Sequence, residues 1–226
     1  MTVLHLADEG EAADLAAFLS RLLHYDRGAA VRLQAAGTAL AVFGRPPSFE
    51  VLAVRAVRLA KPYENGLDVT LDVTVSAGEL LEAVDESAAT AAVPAAVTGP
   101  PWAGVLPPRG GWRPEPALPS PDALRATVGA AVVEFRSRTE ELAAELRTRA
   151  ELDRIGREIW SRTVGDTGLP VRAVHAAQSL GFLRPSTGSG DLALLSRGAW
   201  LRLRTPYGSI AVRRSGTLGT LDVSVH

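Results

Sequence analysis

The sequence predicts an α+β protein built from two related βαβββ units with antiparallel sheets, and a long-helix insertion interrupts the second unit. Three observations favour this class. A strand followed by an amphipathic helix opens the chain and occurs again at 67–84. A strand, glycine turn and strand at 29–44 has a counterpart at 199–214. The stretch between the two, 87–190, is first rich in proline and then helical in pattern.

The first unit is predicted from residues 3–59. Asp8 is placed to cap a helix whose apolar residues recur at helical spacing. Gly37 marks the turn between two alternating strands, and the prolines at 46 and 47 end the second of them. The predicted elements are strand 3–7, helix 10–25, hairpin 29–44 and strand 51–59.

The second unit begins at the clearest strand of the chain. In the stretch GLDVTLDVTV at 66–75, valine and leucine alternate with aspartate and threonine, so one face is apolar and the other polar. Ser76 and Glu79 then form a capping box that starts a helix. The last strand, LDVSV at 221–225, repeats LDVTV at 71–75. The predicted elements are strand 67–75, helix 76–84, hairpin 199–214 and strand 219–225.

This order of elements is similar to that of one domain of the DNA sliding clamps, which are duplicated βαβββ units. The resemblance implies a helix that faces DNA, and such a helix should be basic. Helix 10–25 instead carries Glu11 and Asp14 against a single Arg21. Because an acidic helix repels the phosphate backbone, we do not expect the chain to encircle DNA.

A proline-rich strap and a helical block separate the parts of the second unit. Nine of the fifteen prolines lie in 87–121, together with Trp102 and Trp112, which are expected to anchor this segment on an apolar surface. Ser120 and Pro121 start a long helix that is predicted to run to Val164 with a bend near 149–152. We therefore divide the chain into four parts. Residues 1–86 form an α+β part that includes the start of the second unit, and residues 87–120 form the strap. Residues 121–190 form a helical insertion, and residues 191–226 form a β-hairpin and last strand that complete the second unit.

Charge is distributed unevenly along a chain that is almost neutral, with 24 basic and 25 acidic residues. Residues 1–100 hold seven Lys and Arg against thirteen Asp and Glu, whereas residues 101–226 hold seventeen Arg against twelve Asp and Glu. Two explanations are open: the two halves neutralise each other, or the basic half binds an anionic partner. Only one of the basic residues is lysine, so arginine by itself is weak support for phosphate binding.

The preferred functional hypothesis is a non-enzymatic interaction or regulatory protein, a scaffold or adaptor. Its contact surfaces would be the 199–214 hairpin and the exposed face of the long helix, with a protein partner or a second copy bound there. Alternation places arginines on one side of the hairpin, and Tyr207 is expected to project from its turn. The hairpin residues concerned are Arg202, Arg204, Tyr207, Arg213 and Arg214.

The alternative hypothesis is a DNA-binding protein that resembles a winged helix-turn-helix. Helix 170–181 would read base edges with Arg172, His175, Gln178 and Ser179, and the arginine hairpin would contact phosphates. Alanine, valine and leucine dominate helix 170–181, which suits burial better than a groove.

Catalysis is the weakest hypothesis. His175 has no partner at a spacing diagnostic of a triad, and the four histidines show no metal-binding spacing. The chain has no cysteine, which excludes disulfides and thiolate chemistry. We therefore expect no catalytic residue, metal or cofactor. The acidic N-terminal stretch and the lack of a long apolar run predict a cytoplasmic protein without a membrane partner.

Overall fold

The computed structural model describes residues 2–185 and 192–214. The helices are α1 Glu9–Tyr25, α2 Ala77–Glu82, α3 Pro121–Glu140, α4 Arg149–Trp160 and α5 Val171–Ser179. The strands are β1 Val3–His5, β2 Ala30–Ala36, β3 Ala39–Gly44, β4 Leu52–Arg58, β5 Thr70–Ser76, β6 Val84–Asp85, β7 Thr90–Ala92, β8 Arg113–Glu115, β9 Ala193–Arg197, β10 Trp200–Thr205 and β11 Gly208–Arg213. In these ranges no helix has both the length and the apolar composition needed to cross a membrane.

One antiparallel sheet of eight strands organises the molecule. Its strand order is β5-β2-β3-β4-β11-β10-β9-β8. A small sheet with the order β1-β7-β6 adjoins it through an antiparallel bridge between Leu6 and Leu59. At the centre, β4 pairs with β11 through three residue pairs, one of which joins Val54 to Ser209. The first and second halves of the chain therefore contribute adjacent strands to one sheet.

The predicted fold class is confirmed: the chain is an α+β protein with antiparallel sheets and two related units. The first unit runs β1, α1, β2, β3, β4. The same order occurs as β8, α5, β9, β10, β11, with α3 and α4 inserted between β8 and α5. Strand β5 and helix α2, which the sequence assigned to the second unit, lie beside β2 and α1. The predicted strand 219–225 lies outside the described residues, and the four-part division stays a prediction.

The structure divides the predicted helix 121–164 into α3 and α4, so the chain breaks completely just before the bend that the sequence predicts at 149–152. Arg147 donates hydrogen bonds to the carbonyl oxygens of Glu140 and Leu142, which close the end of α3. Thr148 then caps α4 by accepting a hydrogen bond from the backbone N–H of Glu151. The two helices run antiparallel, and ion pairs between their exposed faces hold them together, Arg138 with Glu158 and Arg162 with Glu134.

The two faces of the large sheet differ in what covers them. On the inner face, residues such as Leu33, Val42 and Leu203 are fully buried under the helices. On the outer face, Trp102 of the strap packs on a smaller apolar cluster, which consists of Phe43, Leu52, Val54 and Ala211. The strap thus covers the middle of the outer face, and on one side of it the outer face of β9, β10 and β11 carries polar side chains.

Candidate functional site

The outer side of strands β9–β11 carries a row of arginines that we call the arginine face: Arg197, Arg202, Arg204 and Arg213. Strand alternation places them there, because Leu201 and Leu203 point inward and are buried. Antiparallel pairing sets Arg204 opposite Ser209, and Trp200 opposite both Arg197 and Arg213. Arg197, Arg204 and Arg213 are exposed, whereas Arg202 is half-buried.

Two tryptophans orient this face. The guanidinium of Arg213 lies 5.3 Å from the ring centroid of Trp200, and that of Arg202 lies 5.7 Å from the ring centroid of Trp112. The indole N–H of Trp112 donates a hydrogen bond to the carbonyl oxygen of Pro108 at 3.0 Å, which fixes the ring within the strap. Cation–π contacts hold each arginine over an aromatic ring while its hydrogen-bond donors stay available.

The arginine face is not neutralised from within the described parts of the chain. No carboxylate described in the structure forms an ion pair with Arg202, Arg204 or Arg213. Burial and the neighbouring charge of Arg204 lower the pKa of Arg202, as expected for a cation without a partner. The helical insertion is different, because its arginines pair with the glutamates of α3 and α4.

Tyr207 does not project from the hairpin as the sequence predicted. Its hydroxyl donates a hydrogen bond to the carbonyl oxygen of Pro185 at 3.1 Å, and the guanidinium of Arg184 lies 3.7 Å from its ring centroid. Arg55 also donates to the carbonyl oxygen of Tyr207 at 2.8 Å. The ring packs back onto the protein because these groups cover it.

Helix α5 is buried rather than presented to a groove. Five of its nine residues are buried. His175 stacks on Trp160 at 4.6 Å and meets the ring of Phe49 edge-on at 5.0 Å, and burial lowers the pKa of His175. Gln178 is exposed and Ser179 is half-buried. Since His175 lies in an aromatic sandwich, the expected row of base-reading side chains is not formed.

Arg172 and Arg214 lie at a separate cavity beside the start of α5, with a volume of about 430 Å³. Arg214 pairs with Glu115 at 2.5 Å. Arg172 lies 3.4 Å from the hydroxyl of Ser161 and its Nε is buried without a hydrogen-bond partner in the described structure. The eight predicted binding residues are therefore divided between the arginine face, this cavity, the turn and the core.

Sequence reasoning missed Trp200, Arg197 and Arg109. Trp200 could have been found, because it alternates with Arg202 and Arg204 in one strand. Arg109 lies in the strap, where no periodicity indicates its direction. In the described part of the chain no group of three or more His, Asp or Glu side chains is placed to hold a metal ion.

Comparisons with known proteins divide the chain at the strap. Residues 1–104 match the model of a family described as a domain of unknown function (DUF8010). Residues 107–217 match the model of a second family, also described as a domain of unknown function (DUF8185). Each model covers less than half of the chain, and the two in tandem fit the two related units. No curated protein and no solved structure matches the chain.

Proposed function

We propose that this chain is a non-enzymatic binding protein whose arginine face engages an acidic segment of a partner protein. The proposal rests on the uncompensated positive charges of this face, because Arg202, Arg204 and Arg213 face outward with no ion-pair partner in the described ranges. Arginine and tryptophan are the residues most enriched among those that dominate protein interfaces. The guanidinium fork also matches a carboxylate in two hydrogen bonds.

The second contact surface expected from the sequence, the face of the long helix, receives less support. Glu134 and Glu158 are each bonded to both Arg138 and Arg162, so this surface already neutralises itself. Such exposed networks contribute little to recognition by charge. We therefore assign the main contact to the 199–214 hairpin. The cytoplasmic location and any self-association stay predictions.

Nucleic acid is the second candidate ligand of the same face. Alternating arginine and aromatic side chains are typical of surfaces that bind single strands by stacking and charge. Here, however, guanidinium groups lie near the faces of Trp112 and Trp200, where a base would stack. An acidic polypeptide needs only the outward donors, which is why we favour it.

The test is fluorescence anisotropy of a labelled oligoglutamate peptide and a labelled oligothymidylate at several salt concentrations. We expect the wild type to bind the peptide with an affinity that falls as salt rises. Arg204→Ala combined with Arg213→Ala should weaken binding by about tenfold or more, since two charge-assisted contacts are lost.

The matched control is Arg136→Ala combined with Arg157→Ala, which removes the same charge from the exposed side of α3 and α4. This variant should bind like the wild type. An equal loss in both variants would mean that net charge alone attracts the peptide and would contradict the proposal. Preferential binding of oligothymidylate, lost in the same hairpin variant, would replace the acidic peptide with nucleic acid.

A further inference from the structure

A cavity of about 360 Å³ lies on the outer face of the sheet, between strands β2–β4 and the strap. Its floor consists of small side chains on three neighbouring strands. Ala36 pairs with Ala39 and Ala41 pairs with Ala56 across the ladders, so no large side chain fills this part of the sheet. A shallow, flat floor results.

The walls of the cavity are apolar along two sides. Phe43 and Val54, which belong to the cluster under the strap, form one side. Pro107 and Pro108 of the strap also line it. Proline fixes the backbone φ angle, so this wall is stiff even though it belongs to a connecting segment.

The charged groups of the cavity leave a positive balance. Asp72 is bonded by both the Nε and Nη2 of Arg32, at 2.7 and 2.9 Å, and accepts a further hydrogen bond from Gln34 at 3.0 Å. These contacts hold the pKa of Asp72 below its usual range and neutralise its charge. Arg109 and Arg202 also line the cavity, and no described carboxylate forms an ion pair with either of them.

The contacts of Arg202 fix its position but do not compensate its charge. Its Nε donates to the hydroxyl of Ser209 at 2.9 Å, and the ring of Trp112 lies beside its guanidinium. Neither contact brings a negative charge, although the side chain is half-buried. Since a partly buried cation without a counter-charge is unfavourable, an anion at this place would relieve the cost.

We propose that this cavity is a binding site for a small organic anion, a carboxylate attached to a flat apolar body. The apolar body lies on the alanine floor against Pro107 and Pro108, and the carboxylate accepts hydrogen bonds from Arg109 and Arg202. The site shares Arg202 with the arginine face but otherwise uses the floor of β2–β4 and the strap, so its test can be separated from that of the proposed function through Arg204 and Arg213.

Isothermal titration with 2-naphthoate tests the site, with the uncharged 2-naphthamide as its isostere. The wild type should bind naphthoate, and naphthamide should bind about tenfold more weakly because it lacks the charge. Ala41→Leu places a larger side chain on the floor and should abolish binding. Arg109→Gln changes an exposed strap residue, leaves the core intact, and should weaken naphthoate binding by about tenfold.

Three results would overturn the proposal: no heat of binding with millimolar naphthoate, equal affinity for naphthoate and naphthamide, or unchanged affinity in Arg109→Gln. Ala150→Leu, the same substitution on the exposed first turn of α4, is the control for Ala41→Leu. The variant with Arg204→Ala and Arg213→Ala should still bind naphthoate. The cavity and the arginine face can therefore fail independently of each other.

Discussion

The two related units place their arginines in opposite electrostatic settings. In the first unit, Arg55 lies under α1 and pairs with Glu11 at 2.9 Å and with Asp14 at 3.2 Å. In the second unit, Arg202 and Arg213 lie on the outer face, each beside a tryptophan ring and without an ion pair in the described ranges. The same arrangement of a helix and three strands thus uses arginine for internal pairing in one half and leaves it outward in the other.

This difference bears on the two explanations of the uneven charge. In the described ranges, one ion pair joins a residue before position 100 to one after it, Arg184 with Asp14. The acidic residues of α1 otherwise pair with Arg55 and Arg58 of the same unit. Direct ion pairs between the two halves are therefore rare in the described ranges, and the arginine face has none there. This supports the anionic partner that we propose for that face.

The largest effect should come from removing the internal pairing. Arg55→Ala removes the buried partner of Glu11 and Asp14, which keep only the more exposed Arg58 and Arg184. The loss in unfolding free energy should approach the cost of breaking a buried pair, about 3–5 kcal/mol. Urea denaturation followed by circular dichroism measures the loss. Arg58→Ala is the control, because its side chain is 71% exposed and its pairs should contribute less than about 1 kcal/mol. Equal losses in the two variants would refute the comparison.

A smaller effect should come from two glycines that lie against apolar side chains, Gly208 in the second unit and Gly44 in the first. A Cβ at position 208 would lie 2.6–2.8 Å from the ring of Phe182, whereas a Cβ at position 44 would lie 2.7 Å from a terminal methyl of Leu22. A methyl can shift more easily than a ring. We expect Gly208→Ala to lower the free energy of unfolding by about 1–3 kcal/mol and Gly44→Ala by less, measured by urea denaturation.

The reverse order of the two glycine variants would show that the Phe182 ring moves freely. The ring stacks on Phe18 with centroids 5.8 Å apart, which is why we expect it to resist displacement. Circular dichroism spectra of both variants before denaturation serve as the check that the fold is intact.

The pH dependence of stability should also separate the two units. Burial lowers the pKa of His175, so the unfolded chain binds this proton more readily than the folded one. The free energy of unfolding is therefore highest above the ordinary histidine pKa, and it decreases as the pH falls from that value toward the lowered pKa. On β5, which lies beside the first unit, the lowered pKa of Asp72 places the corresponding loss at the lower pH at which Asp protonates.

Thermal melting from about pH 8 to about pH 5 tests whether the melting temperature falls with pH, as the lowered pKa of His175 predicts. His175→Phe keeps an aromatic ring between Phe49 and Trp160 and should flatten the melting temperature across this range. A variant that kept the full wild-type slope would show that another group titrates there.

The smallest effect on stability should come from the arginine face. Arg204→Ala with Arg213→Ala should change the free energy of unfolding by no more than about 0.5 kcal/mol, because both side chains are exposed and without an ion pair in the described structure. Urea denaturation measures it beside Arg55→Ala. A loss comparable to that of Arg55→Ala would mean that these arginines stabilise the fold instead of binding a partner.

Local patterns predicted most helices and longer strands but not the short strands β6, β7 and β8, the last two of which lie in the predicted strap, and not the surroundings of the elements. Alternation in β5 and in β10 indicates correctly which residues share a face, because strand periodicity depends only on neighbouring residues. The break between α3 and α4 also had a local signal, because Thr148 is a helix N-cap placed just before the predicted bend at 149–152, but the apolar stripe on both sides suggested a continuous helix. Tyr207 was mispredicted because its partners, Arg184 and Pro185, are distant in the sequence.

The candidate site was predictable only in part. The arginines of the hairpin follow from the sequence, but the absence of a counter-charge in the described ranges depends on where Glu115 and Asp72 place their carboxylates. The alanine floor of the cavity is also hidden, because alanine in a strand carries no functional signal. It becomes a site only when three strands and the strap lie together.

The pairing of β4 with β11 means that the two family regions cannot be treated as separable modules. Cutting the chain in the strap would leave Leu52–Arg58 and Gly208–Arg213 each as an open strand edge, with unsatisfied backbone donors and acceptors along β-branched and apolar side chains. Such edges recruit other strands. Each half produced alone would therefore associate with itself or aggregate. In the intact chain, β4 and β11 cover each other's edge.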